Sequence, residues 1–394
     1  MPSDSHFRGQ NYRKLKRQCE KTGTLFVDTE FPASNVSLFL DESRTSNIVW
    51  KRPGELVDDP QLFVEGASVN DVTQGILGNC WFVSACSALT HNSHLLKKVI
   101  PDPEEQEWSR KDKKRYAGIF RFCFWRFGKW TDVIIDDLLP TRDDKLLFTR
   151  SKTSNEFWSA LLEKAFAKVY GCYENLVGGQ LADALQEVSG GVPETIDMRR
   201  FKYAMGENWH LKLFNHLKEA FANKALIVAA IAPKDKDDIE KPLECGLVKG
   251  HAYAVTDVRY IELDAKNRGI LFFVAAERKL MIRLQNPWGE KEWNGAWSDG
   301  SEEWNHLTET RKAELGITVD EDGEFWMPFD EFCEYFTDIS VCQLFNTRIF
   351  SSSKRYMEAT FFGSWKVNGK SGAQGDWSPS SIDSLVGSRC PEQM

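Results

Sequence analysis

The sequence predicts an α+β chain of two lobes with a cleft between them. Three observations lead there. Helical periodicity dominates before the Gly190-Gly191 pair, and aromatic and β-branched strand-like runs dominate after it. The chain has 394 residues, 42% of them apolar and 27% charged, which is enough for a packed core of more than one layer and excludes global disorder.

Residues 11–20 read as a short amphipathic helix in an N-terminal arm. Residues 80–90 are small and apolar without a break, so they predict a buried helix entered from a glycine-rich turn. Residues 102–115 form a charged loop. Residues 116–127 and 130–136 carry strand formers on either side of Gly128-Lys129, which predicts a hairpin. Over residues 155–171, Phe157, Leu161, Leu162, Ala165, Phe166 and Val169 share one helical face. Beyond the glycine pair, residues 211–224 read as a helix. Strand-like runs follow at 225–232, 251–258, 270–275 and 280–284. Residues 371–394 are rich in Ser, Gly and Pro and lose all pattern, so disorder is expected there.

Charge and cysteine usage narrow the class of function. Fifty basic residues stand against 58 acidic ones, for a net charge of −8, which argues against a general nucleic-acid binder. The first 20 residues are polar and basic, with no apolar core of a secretory signal and no long apolar span anywhere. A cytoplasmic location is therefore expected. Nine cysteines at irregular spacing, with no C-x-x-C pair, fit reduced thiols, of which at least one is a candidate nucleophile.

That candidate is Cys80, in Gln74-Gly75-Ile76-Leu77-Gly78-Asn79-Cys80-Trp81. A thiol on the first turn of a helix has its anion favoured by the helix dipole. The preceding glycines let substrate backbone approach, and the Gln74 amide with the Cys80 N–H can make an oxyanion hole. Far downstream, Gly250-His251-Ala252 opens a strand and Asn286-Pro287-Trp288-Gly289 follows. An Asn can accept the His ring N–H and set its tautomer, and the following Trp can shield that bond. A lone Cys at a helix start, or a lone His in a strand, is ordinarily a core residue. His91, His94, His210, His216 and His306 are read that way. The ordered conjunction of all three motifs is different, and it points to thiol acyl transfer by a nucleophile, a base and an orienting amide. The Cys-Trp step is shared with the papain signature.

With these motifs, and with Trp50-Lys51-Arg52-Pro53, Tyr116-Ala117-Gly118-Ile119-Phe120, Asn155-Glu156-Phe157-Trp158 and Asp322-Gly323-Glu324-Phe325-Trp326, the chain resembles the calpains from about residue 25 to residue 346. Calpains are calcium-dependent intracellular cysteine proteases. The chain is most similar to atypical members without a penta-EF-hand domain, the calpain-5 or TRA type. The resemblance implies a papain-like two-lobed protease core: a helical subdomain with Cys80 over residues 26–188 and a β-rich subdomain with His251 and Asn286 over 189–347, after an arm at 1–25. Residues 356–365 resemble the first strand of a following β-sandwich. Residues 348–394 are thus expected to be the incomplete start of that domain and a disordered tail, as in a shortened form of a longer chain.

The implied activity is limited endoproteolysis of intracellular proteins. Substrate backbone is expected against Gly179 and Gly250, with Trp288 beside it. The implied cofactor is Ca²⁺. A first ion falls on Val64, Gly66, Asp71 and Glu156, and a second on Glu292, Asp299, Asp320, Asp322 and Glu324. Hard oxygen ligands on loops are what Ca²⁺ takes, at about six to eight per ion. The turn at 320–324 is acidic but lacks the EF-hand spacing. One departure is Val69, where many calpains carry an Arg that links the two sites. Ion binding is expected to rotate the lobes and bring Cys80 to His251. Expected partners are protein substrates, without a small EF-hand subunit, without nucleic acid and with weak or no membrane association. A non-catalytic scaffold and a transglutaminase-type acyltransferase are the competing readings.

Overall fold

A computed structural model describes residues 5–44, 46–108, 116–263, 278–317 and 323–344, and the backbone of two strands at 357–361 and 385–389. The arrangement is α+β, with helices and sheets divided between two lobes that share a packed seam.

The first lobe is built around the Cys80–Thr90 helix. Every residue from Trp81 to Leu89 is buried, as expected for a helix with no polar face. It packs beside the Trp158–Tyr170 helix, where the Phe82 and Phe166 rings stack with centroids 4.0 Å apart. The Ile119–Arg126 and Lys129–Asp136 hairpin covers the other side. The periodicity of residues 155–171 suggests a helix with one apolar face, but the structure buries it on nearly every side, from Trp158 through Lys168. The reason is charge pairing. Lys164 meets Asp136 and Lys168 meets Asp28 with both partners wholly buried, and each ammonium also donates to backbone carbonyls. The arm joins this lobe: Ser5–His6 pairs in parallel with Thr131 and Asp132, and the Tyr12–Thr22 helix buries Tyr12 against it.

The second lobe holds a six-stranded antiparallel sheet in the spatial order Glu324–Pro328, Arg278–Gln285, His251–Glu262, Leu226–Ile231, Asp338–Gln343, Val192–Asp197. Three of these six strands were not expected from the pattern. Val192–Asp197 is an edge strand whose Pro193 and Glu194 blur the alternation, and the other two are five or six residues long. The Trp209–Ala222 helix covers one face. The predicted strand at 270–275 lies outside the described residues. Residues 385–389, within the stretch read as patternless, pair antiparallel with Met357–Phe361.

Two features position the site. The buried helix of the first lobe packs directly on the His251–Glu262 strand of the second, and Ser84 Oγ donates to the Ala252 carbonyl at 2.8 Å. The register between Arg278–Gln285 and His251–Glu262 slips between Arg283 and Leu284, a bulge two residues before Asn286. Among the described residues all eight cysteines are free thiols, and no helix is long and apolar enough to cross a membrane.

Candidate active site

Cys80 is the first residue of its helix. The backbone N–H groups of Ala252, Trp81 and Cys80 itself favour the thiolate. Burial is the stronger influence and pushes the thiol up to about 11. A neutral thiol is thus the resting form until a base takes its proton.

The candidate base is adjacent in sequence to Ala252. His251 opens its strand, is 1% exposed, and places Nε2 2.9 Å from Asn286 Oδ1. The orientation of Asn286 is set independently: its Nδ2 donates to the carbonyls of Glu290 at 2.8 Å and Lys291 at 2.9 Å. Its Oδ1 must therefore be the acceptor, and it also takes the Trp288 N–H at 3.0 Å. It follows that His251 carries its proton on Nε2, and that Nδ1 holds the lone pair. Nδ1 is buried and hydrogen-bonds nothing among the described residues. Burial also lowers the imidazole to about 4. The Trp288 ring lies over the imidazole with centroids 4.6 Å apart, which keeps water from the His–Asn bond.

Gln74 is 5% exposed and lies six residues before Cys80. Its backbone N–H donates to Pro287 O at 2.7 Å, and its side-chain Nε2 donates to Leu77 O at 2.6 Å, leaving one amide hydrogen for another acceptor. The groove glycines each have a packing reason. A Cβ on Gly179 would lie 2.3 Å from the Trp81 indole, and Gly250 has φ +65° with Ile239 directly over it.

A helix that starts with a cysteine packs on the strand that starts with an imidazole of fixed tautomer, and an amide fixes that tautomer. The family model described as "Calpain family cysteine protease" matches residues 26–343. This chain belongs to the calpain family. It is 62% identical to Calpain-5 of Caenorhabditis elegans over 379 residues, 94% of this chain and 58% of that protein. It is 49% identical to mouse Calpain-5 over 359 residues, 91% and 56% respectively. It is 41% identical to the chicken Calpain-1 catalytic subunit, over 92% of this chain and 49% of the relative. The chain thus spans about half the length of the curated relatives it matches.

The calpain resemblance assigns two ion sites, and the structure treats them differently. Asp71 and Glu156 are 5% and 2% exposed and lie close enough to interact directly. Glu156 accepts from the Val64 N–H at 2.6 Å and from Ser151 Oγ at 2.7 Å. Asp71 accepts from the Ser68 N–H and hydroxyl. No basic side chain among the described residues pairs with either. Burial, with the neighbouring Asp71 charge adding to it, raises Glu156 to about 7. Two buried carboxylates without a counter-charge suit a cation, and Gly66, at φ +98°, turns the adjoining loop in open space.

In the second set, Glu292 Oε1 accepts the Gly323 N–H at 2.7 Å, and Glu324 pairs with Arg283 at 2.7 Å. Asp320 and Asp322 lie outside the described residues, and Asp299 lies in the loop after Trp297. Among the described residues, no group of three or more acidic, His or Cys side chains is arranged to hold a metal. Val69 carries no charge, and Glu324 pairs with an arginine of its own sheet. Sequence reasoning missed Asn79 and Glu163 beside the nucleophile. The one available signal was an Asn directly before Cys80.

Proposed function

We propose that this calpain-family chain is a calcium-dependent cysteine endopeptidase that makes limited cuts in extended segments of intracellular proteins. The observation that carries the reading is the His251–Asn286 pair, because it leaves Nδ1 as the free lone pair beside the strand that contacts Cys80. His251 Nδ1 takes the thiol proton as Sγ attacks the scissile carbonyl carbon. The resulting imidazolium and the oxyanion each replace a charge-free group, so the fixed donors of the site determine the barrier. The Cys80 N–H and the remaining Gln74 amide hydrogen face the oxyanion. His251 then gives its proton to the leaving amine, and water repeats the sequence on the acyl-enzyme.

Val64, Gly66, Asp71 and Glu156 would hold one Ca²⁺, and Glu292, Asp299, Asp320, Asp322 and Glu324 a second. When bound, the ion supplies positive charge where carboxylates otherwise repel. The chain's own contribution is to link the first set to the groove: the Lys152 N–H bonds Asn70 O, and Thr73 and Arg150 exchange both backbone bonds one residue before Gln74. The chain is further proposed to act in the cytoplasm, on protein substrates, without an EF-hand subunit.

The test is cleavage of an unstructured protein across a calcium titration, with Cys80→Ser alongside. Cleavage abolished by both chelator and the substitution is expected. Equal behaviour of wild type and Cys80→Ser would leave a non-catalytic binding protein as the better reading.

A further inference from the structure

Asn79 stands at the N-cap of the nucleophile helix, where an Asn side chain ordinarily accepts from the first-turn N–H groups. Here it makes no capping bond. Its Nδ2 instead donates to Glu163 Oε1 at 2.7 Å, and its buried Oδ1 accepts no hydrogen bond among the described residues. An unsatisfied buried acceptor is destabilising, so the arrangement is not chosen for helix stability.

Glu163 comes from the Trp158–Tyr170 helix and is 1% exposed. Besides Asn79 it accepts from the Thr149 N–H at 2.9 Å and from the Thr149 hydroxyl. Thr149 precedes Arg150, which exchanges backbone bonds with Thr73 at 2.8 and 3.0 Å, and the Ile76 N–H bonds Leu147 O. Residues 147–150 therefore form the wall that carries Gln74. The approach is so close that a Cβ on Gly75 would sit 2.3 Å from Phe148 O. One carboxylate thus grips both halves of the oxyanion hole from behind: the residue that places the Cys80 N–H, and the segment that places the Gln74 amide.

We infer that Glu163, through Asn79 and Thr149, is a positioning residue for the two oxyanion donors. The inference rests on the protease reading above and deepens it. It predicts a particular kind of damage. Alkylation of a thiol by iodoacetamide passes through no oxyanion, whereas amide cleavage does. Loosening the grip therefore harms the second and spares the first.

The experiment uses the full chain with saturating calcium, a fluorogenic peptide amide, and iodoacetamide, comparing wild type with Asn79→Ala and Glu163→Gln. Asn79→Ala removes one bond and leaves Glu163 with Thr149. Glu163→Gln keeps one acceptor oxygen and is expected to lose less. For Asn79→Ala the expected loss in kcat is about tenfold to a hundredfold, with KM and the Cys80 alkylation rate each within about threefold of wild type. An unchanged kcat overturns the inference. So does a kcat that falls in step with alkylation rate and melting temperature, which is the mark of a purely structural contact. If Glu163→Gln does not fold, Asn79→Ala decides alone. A wild type that alkylates at Cys80 yet cleaves nothing overturns the protease reading, and the inference falls with it.

Discussion

The Gln74 N–H donates to Pro287 O at 2.7 Å, so the segment before the nucleophile is bonded directly to the turn after the orienting Asn286. That hydrogen bond joins the Gln74 segment of the first lobe to the Asn286 turn of the second. Anything that moves one lobe relative to the other must strain or break it. Loss of catalysis and loss of the interlobe seam are therefore expected to be coupled.

Asn286→Ala is predicted to lower kcat by about a hundredfold with little change in KM. The substitution removes the acceptor on His251 Nε2 and frees the ring to adopt the other tautomer, with its proton on the nitrogen that must receive one. Steady-state kinetics on a peptide amide check it. A rise in KM at constant kcat would place Asn286 in substrate binding instead.

Asp71→Asn is predicted to have opposite effects with and without calcium. In chelator, the variant should melt at a higher temperature, because Glu156 no longer faces a second buried carboxylate. With calcium added, its melting temperature should rise less than wild type's, since one anionic ligand is gone. Thermal melts at several calcium concentrations read both. Identical calcium shifts in the two proteins would remove Asp71 from the ion site.

Gly179→Ala is predicted to destabilise the fold by about 1–3 kcal/mol, because the added Cβ meets the Trp81 indole at 2.3 Å. Trp81→Leu in the same chain should recover part of that loss. Denaturant unfolding measures it. If stability holds and only KM rises, the glycine is kept for substrate backbone and not for the indole.

Stability is predicted to decline between pH 5 and 8 through two buried carboxyls. Burial raises Glu163 and Glu187 from 4.5 to about 7. A carboxyl raised on folding binds its proton more tightly in the folded state. Its contribution is complete below about pH 4.5 and is lost as pH climbs through 7. The titratable groups facing Glu163 are Cys86 and Tyr173, both raised by burial and neutral throughout this window. Glu163→Gln should flatten the decline. Denaturant midpoints from pH 5 to 8, compared between the two proteins, decide it, and parallel curves would count against Glu163.

Much of the candidate site was legible because its members sit in short motifs whose local chemistry is distinctive. A thiol after Gly-Asn at a helix start, a Gly-preceded His at a strand start and an Asn before Pro-Trp-Gly each announce a backbone setting, and the structure brings His251 and Asn286 to 2.9 Å. The helices at 80–90 and 155–171 were legible from apolar runs and period. Three of the six sheet strands were not, since Val192–Asp197, Glu324–Pro328 and Asp338–Gln343 are short and pair only with residues distant in the chain.

By itself the sequence determined the α+β class and singled out Cys80, His251 and Asn286 as the candidate nucleophile, base and orienting amide, because each depends on residue type and on immediate neighbours. Only the tertiary structure decided which imidazole nitrogen is free, that Gly179 yields to Trp81, that Glu324 pairs with Arg283, and that Glu163 reaches Asn79 across 84 positions of chain. These are relations between side chains brought together by packing. No local propensity encodes them, since the energy of a buried hydrogen bond or ion pair depends on which partner the fold delivers and on the water it excludes.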